Sequence, residues 1–212
     1  MKAQHTAQYA AQYNNIRQHI LDQGKAIITR KGFAGVGLNE ILTAADVPKG
    51  SFYHYFKSKE LFGEAMLADY MTRYLAEMDK VLSQPGQSAV QSLMDYWASW
   101  SSYEPDGSTC DCRCLVVKLS SEVADMSEAM RVTLLGGTNR IVARLAVSIG
   151  QAQADGSLSA LADPAPMALT LYQLWLGAAM LTKLRRDASA LQAAWQATLG
   201  ILQLPADSVA AR

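Results

Sequence analysis

The spacing of apolar residues along the chain predicts helices from end to end. Between residues 14 and 31, Ile16, Ile20 and Ile27 recur at roughly helical intervals, and Gly32 marks the end of that helix. The stretch before it is rich in Gln, Ala and Tyr without an apolar period, so we expect a loose arm or an extra half-helix there. The other predicted helices lie near residues 36–47, 48–56, 58–84, 87–102, 113–124, 127–153, 163–185 and 188–203. We find no convincing alternating strand, so the predicted fold class is all-α.

The lengths of these helices predict two parts joined by a connector. Three short helices come first, and a long helix follows, with Ser58 as its N-cap and Pro85–Gly86 as its end. The rest of the chain reads as a helical bundle.

Composition and charge narrow the class of protein. Half of the 212 residues are hydrophobic and 18% are charged, which is typical of a globular chain with a sizeable core. We find neither an apolar run of membrane-spanning length nor a secretory signal, so we expect a cytoplasmic protein without a membrane partner. The net charge is zero, but residues 1–60 carry eight basic and four acidic residues. This basic end suggests contact with a polyanion, although chance also explains so modest a charge.

The segment PKGSFYHYF, residues 48–56, has the features of a DNA recognition helix. It follows a short helix after a tight turn, as in a helix-turn-helix. Phe52 and Phe56 are four residues apart and are predicted to pack inward. An aromatic core segment is the alternative, but a core would not place His54 and two phenols between these phenylalanines. The side chains left near the outer face are those of Lys49, Gly50, Ser51, Tyr53, His54 and Tyr55.

Each of these residues suits a particular contact with DNA. Lys49 and Ser51 are nearest the helix start and are placed for base edges, and Gly50 allows close backbone approach. The side chains of Tyr53, His54 and Tyr55 can donate to phosphate oxygens. In the first turn of the next helix, the ammonium of Lys59 and the helix N-terminus can share one phosphate.

The segment GFAGVGLNEILTAADVPKGSFYHYFKSKELF, residues 32–62, resembles the DNA-binding domain of TetR-type transcriptional repressors. The resemblance implies a homodimer that binds double-stranded operator DNA. It implies a helix-turn-helix domain at residues 14–60 and an effector-binding and dimerisation domain at residues 61–204. The family's DNA-contact positions map onto Lys49, Gly50, Ser51, Tyr53, His54, Tyr55 and Lys59. Where many members have Thr at the start of the second helix, this chain has Leu38, and the nearest polar substitute is Asn39.

Two later segments resemble the NemR-like subgroup of that family. They are CLVVKLSSEVADMSEAMR, which begins at Cys114, and LYQLWLGAAMLTKL, which contains Lys183. This resemblance implies a repressor that responds to reactive electrophiles and oxidants.

The cysteines are Cys110, Cys112 and Cys114, and their spacing leaves several roles open. It lacks the pattern of structural zinc sites, but a thiophilic ion such as Cu(I) needs fewer ligands and Asp111 is adjacent. An odd count in a cytoplasmic protein disfavours a disulfide framework. Cys114 also has the character of a small core residue.

The sensor hypothesis assigns a role to each thiol. A helix start near Cys114 would lower the pKa of that thiol, and Lys183 would be its cationic neighbour. Lys183 follows an apolar run, so its ammonium is either exposed to solvent at the end of its helix or buried with a partner. Cys110 or Cys112 would resolve a sulfenic acid at Cys114 as a disulfide.

A repressor with a non-covalent ligand is the competing hypothesis. Five aromatic residues would line its pocket: Tyr96, Trp97, Trp100, Tyr172 and Trp175. No Ser/His/Asp arrangement or phosphate loop is apparent, so we expect neither an enzyme nor a cofactor. Helices 163–185 and 188–203 carry more apolar residues than one core needs and are predicted to form the dimer interface.

Overall fold

The structure is a computed structural model that describes residues 2–100, 111–159 and 163–205, with side chains described outside residues 2–11 and 111–114. Within these ranges it has nine helices and no strand, which confirms the all-α fold. The helices are α1 (Lys2–Lys31), α2 (Leu38–Ala45), α3 (Lys49–Phe56), α4 (Lys59–Leu82), α5 (Ala89–Ala98), α6 (Asp111–Met126), α7 (Glu128–Ala154), α8 (Pro164–Arg185) and α9 (Ser189–Leu202). None of the helices in the described ranges combines the length and the hydropathy of a membrane span.

The first helix differs most from its predicted bounds. It begins at Lys2 rather than near residue 14. The Gln- and Ala-rich stretch contains good helix formers and no Gly or Pro, so the helix extends through it without an apolar stripe. The predicted end is correct, because Gly32 has a φ of +83° and donates its N–H to the carbonyl of Ile28 at 2.8 Å.

The N-terminal caps define where α3 and α4 begin. Pro48 is the residue before α3 rather than its first residue. Ser58 accepts the N–H of Leu61 at 3.0 Å, which is the predicted cap of α4.

The chain packs as two compact units. The first comprises Met1–Met71 and Lys118–Leu135, and the second comprises Thr72–Val117 and Gly136–Arg212. Helices α4, α6 and α7 therefore each contribute residues to both units. The division predicted after residue 60 assigns residues by function, whereas these units follow packing, so that boundary stays a prediction.

The core of the first unit holds the recognition helix by its phenylalanines. Phe52 and Phe56 are buried, and their ring centroids lie 5.5 and 5.1 Å from that of Phe62 on α4. Helix α1 passes close by, because a Cβ on Gly24 would lie 2.3 Å from the ring of Phe62. The orientation of α3 is thus set by aromatic packing against α1 and α4.

The second unit has an aromatic core. Trp97 and Trp175 are fully buried and stack with centroids 5.2 Å apart. The indole N–H of Trp175 donates to Thr198 Oγ1 at 2.9 Å, which joins α8 to α9. Burial raises the pKa of the nearby Tyr172 phenol well above its usual range.

Candidate functional site

A tight turn fixes the direction of α3 relative to α2. Asp46 adopts left-handed backbone angles, with a φ of 50°, and its N–H donates to Thr43 O at 3.3 Å. The following N–H, of Val47, donates to Leu42 O at 3.1 Å. The carbonyl of Ala45 lies 3.1 Å from Nε2 of His19 on α1. These contacts hold the two short helices as a helix-turn-helix.

The buried and the solvent-facing residues of the recognition helix α3 are those that the sequence predicts. Phe52 and Phe56 are buried, whereas the other predicted residues of the helix are exposed or half-buried. The exposed ones are Lys49, Gly50, Tyr53 and His54, and the half-buried ones are Ser51 and Tyr55. The Nζ atom of Lys49 lies 5.9 Å from the ring centroid of Tyr53. This face presents a cation, hydroxyls and an imidazole together, which is suitable for DNA bases and phosphates.

Tyr13 belongs to this surface, although the sequence reasoning did not select it. Its ring centroid lies 4.6 Å from that of Tyr55 and 5.6 Å from that of His54. The signal was present, because Tyr13, Ile16 and Ile20 are spaced by three and four residues. The surrounding polar stretch obscured it.

Replacing Tyr13 by Ala is expected to weaken operator binding by about 3- to 10-fold, because an aromatic pair is worth about 0.5–1.5 kcal/mol. Without this ring, the side chains of His54 and Tyr55 are less ordered on the recognition helix. Operator titration of Tyr13→Ala and Tyr13→Phe measures the effect, and the Phe variant should keep wild-type affinity. The His54 ring resonance should shift only in the Ala variant, with His19 as the internal reference. Unchanged binding and an unchanged His54 resonance in Tyr13→Ala would contradict this role.

The ammonium of Lys59 contacts Phe33 of the same chain. Its Nζ donates to the carbonyl of Phe33 at 2.8 Å and lies 4.5 Å from that ring's centroid. Partial burial lowers the pKa of Lys59, and the charge of Glu122 opposes that shift. Contact between Lys59 and a phosphate stays a prediction.

The start of α2 has no side-chain N-cap hydrogen bond. Gly37 precedes Leu38 and makes no side-chain cap, whereas Asn39 is exposed. A contact from Asn39 to the DNA backbone also stays a prediction.

The cysteine segment is described only in part. Cys110 and the side chains of Cys112 and Cys114 lie outside the described residues. The backbone shows that α6 begins at Asp111, so Cys114 is in its first turn. Lys183 is exposed in the last turn of α8. Of the two predicted positions, its side chain therefore has the one in solvent at the end of the helix, not the one buried with a partner. No group of three His, Cys, Asp or Glu residues that could hold a metal occurs among the described residues.

The five aromatic residues proposed for a ligand pocket pack against one another. All five are buried: Tyr96, Trp97, Trp100, Tyr172 and Trp175. Within this cluster, Nε1 of Trp97 has no hydrogen-bond partner among the described residues. These five side chains are therefore part of the core of the second unit, which contains a buried indole N–H without a partner among the described residues.

Two family models match the chain in the regions of these two sites. Residues 20–66 match the model of "Bacterial regulatory proteins, tetR family", and residues 86–198 match "Tetracyclin repressor-like, C-terminal domain". The chain is 36% identical to the HTH-type transcriptional repressor NemR of Escherichia coli K12, over 91% of this chain and 96% of that one. It is 30% identical to the HTH-type transcriptional repressor DhaR of Mycobacterium sp. GP1, over 81% of this chain and 84% of DhaR.

Solved structures agree with this assignment. The crystal structure of the reduced form of E. coli NemR matches with a TM-score of 0.83 and 35% identity, over 91% of this chain and 99% of that one. A TetR/AcrR family regulator matches with a TM-score of 0.80 and 42% identity, over 89% of this chain and 99% of the other. The chain belongs to the TetR family of transcriptional regulators. It is a repressor similar to NemR and not an enzyme, and regulators of this family bind operator DNA and typically act as dimers.

Proposed function

We propose that this repressor leaves its operator when a reactive electrophile or oxidant modifies Cys114. The observation that carries the proposal is the position of Cys114 in the first turn of α6, in a chain similar to NemR over 91% of its length. The positive end of a helix dipole stabilises a thiolate. The solved structure of E. coli NemR is of the reduced form of that protein.

The chemistry at Cys114 takes one of two courses. Addition of its Sγ to an electrophilic ring carbon of a quinone or maleimide forms one S–C bond, and the ring takes up one proton. Hypochlorous acid converts the thiol to sulfenic acid and releases chloride and a proton. Condensation of the sulfenic acid with the thiol of Cys110 or Cys112 then gives a disulfide and water. Lys183, exposed at the end of α8, is the proposed cationic neighbour of the thiolate.

The DNA-binding half of the proposal uses the outer face of α3. The proposed contact residues are Lys49, Gly50, Ser51, Tyr53, His54, Tyr55 and Lys59. A dimer must hold two such helices about 34 Å apart to reach successive major grooves. Modification that changes the packing of α6 or of the connector α4 would change this spacing and lower affinity.

The dimer is proposed to form through α8 and α9. Four large apolar side chains on α8 are exposed in the single chain, and the most exposed is Leu184, at 73%. The four are Leu169, Met180, Leu181 and Leu184. Burial of this face against a second copy would remove it from water.

A Cys114→Ser variant tests the sensor proposal. Reduced wild type should release operator DNA when titrated with hypochlorite or a maleimide, and Cys114→Ser should remain bound. The operator is taken from the promoter of the protein's own gene, and Cys110→Ser and Cys112→Ser are matched controls for the maleimide titration, which needs no resolving thiol. Equal release by wild type and Cys114→Ser would assign sensing to another residue.

A non-covalent effector is the second candidate, and the buried indole N–H of Trp97, which has no partner among the described residues, favours it. A ligand that opened the aromatic core could accept a hydrogen bond from this indole N–H. Such a repressor would keep its response after Cys114→Ser, so the same titration separates the two functions.

A further inference from the structure

Glu122 of α6 binds the turn that joins α1 to α2. Its carboxylate accepts the backbone N–H of Phe33 at 3.0 Å and that of Ala34 at 2.5 Å. Both N–H groups follow Gly32, where the chain reverses with a φ of +83°. A carboxylate that accepts two successive backbone N–H groups fixes the path of the turn, because such charge-assisted hydrogen bonds are among the stronger ones in proteins.

Two lysines bind carbonyl groups of the same segment. Lys118 lies one helical turn before Glu122 and donates to the carbonyl of Arg30 in the last turn of α1. Lys59 donates to the carbonyl of Phe33 at 2.8 Å. Carbonyls at a helix C-terminus lack helical partners, so cationic donors satisfy them well. We call Glu122, Lys118 and Lys59, with the backbone of residues 30–34, the turn latch.

The turn latch connects the segment that leads into the recognition helix with the helix that contains Cys114. On one side, the latched turn leads into α2, which is followed by the recognition helix. On the other side, position 114 lies about two helical turns before Glu122 in the same helix, or about 12 Å along its axis at 1.5 Å per residue. A displacement of the start of α6 would therefore reach the latch through a single continuous helix.

We propose that Glu122 is a positioning residue for operator binding and that the turn latch carries changes at the start of α6 to the helix-turn-helix. The positioning role requires only that the chain binds DNA, whereas the relay role rests on the function proposed for Cys114. When the hydrogen bonds of the turn latch are formed, the turn that enters α2 has one backbone conformation. When they are broken, the turn has several conformations and operator binding must select one of them, which lowers the apparent affinity for DNA.

The positioning role is tested on reduced protein with operator DNA and no effector. Glu122→Ala should bind about tenfold more weakly, and Glu122→Gln should fall between it and wild type because its amide carbonyl still accepts one N–H. Loss of an acidic charge by itself favours DNA binding, so Asp125→Ala and Asp125→Asn are the matched controls. Asp125 is exposed on the same helix, and both its variants should stay within about twofold of wild type.

Amide hydrogen exchange separates positioning from a general loss of stability. Exchange at Phe33 and Ala34 should accelerate in Glu122→Ala while exchange in the core of α4 stays slow. Equal operator affinity for Glu122→Ala and Asp125→Ala would overturn the positioning role. If Glu122→Ala does not fold, Glu122→Gln and Lys118→Met provide the same comparison.

The relay role is tested by modifying Cys114 with a maleimide, with the extent of labelling measured by mass spectrometry. The ratio of operator affinities before and after labelling should be large for wild type and Asp125→Ala and close to one for Glu122→Ala, because both changes act on the same element. If wild type releases DNA and Glu122→Ala releases it by the same factor, the relay is wrong. If labelled wild type stays bound, the function proposed for Cys114 fails, while the effector-free titration still decides the positioning role.

Discussion

A chain carrying Lys49→Ala, Tyr53→Ala and His54→Ala is expected to keep its fold and lose at least about 100-fold in operator affinity. These side chains are exposed on α3, so their removal leaves the core of the first unit intact. Hydrogen bonds are worth about 0.5–1.5 kcal/mol each, and more when charged, and a dimer makes every contact twice. Operator titration at fixed salt measures the loss, because phosphate contacts make affinity depend on ionic strength.

The matched control for this triple variant is Lys80→Ala. Lys80 is exposed near the end of α4, where it pairs only with Glu77 among the described residues, and its replacement removes the same charge far along the chain from α3. Circular dichroism and thermal melting should be unchanged in both variants. Operator affinity of the triple variant within threefold of the Lys80→Ala value would exclude the outer face of α3 as the DNA-binding surface.

Replacing Trp175 by Ala is expected to destabilise the protein by about 3–5 kcal/mol, the usual cost of deleting a buried indole. Trp175 is fully buried, stacks on Trp97 and donates to Thr198. Its loss leaves a cavity and removes a hydrogen bond between α8 and α9. The midpoint of urea unfolding at one fixed protomer concentration measures the change, because the stability of the proposed dimer depends on concentration.

A comparison with Trp97 isolates the contribution of the hydrogen bond between Trp175 and Thr198 to the free energy of unfolding. Trp97 and Trp175 are equally buried, but Nε1 of Trp97 has no partner among the described residues. Trp97→Phe and Trp175→Phe remove similar volumes, so Trp175→Phe should cost more by about 0.5–1.5 kcal/mol, the net value of one hydrogen bond. Equal costs for the two variants would contradict a stabilising role for the bond to Thr198.

Local sequence signals were enough to predict the helices and the inner and outer faces of the DNA-binding motif. Helix bounds from α2 to α9 agree with the predicted ones to within a few residues, because helical periodicity and caps such as Ser58 are local signals. The same periodicity put Phe52 and Phe56 inside and left the polar residues of α3 outside. The start of α1 was missed because its first turns have helix-forming residues without an apolar stripe.

Which distant residues support that motif depends on packing between helices and could not be predicted from the sequence. The contact between Glu122 and Phe33 joins residues 89 positions apart, and the ring of Tyr13 meets residues more than 40 positions away. Sequence spacing is informative within a helix, where neighbours recur every three or four residues, but carries no signal for which helices will pack together. Lys59 is an example, since its position in the sequence suggested a phosphate contact, which stays a prediction, whereas its hydrogen bond to the carbonyl of Phe33 depends on packing.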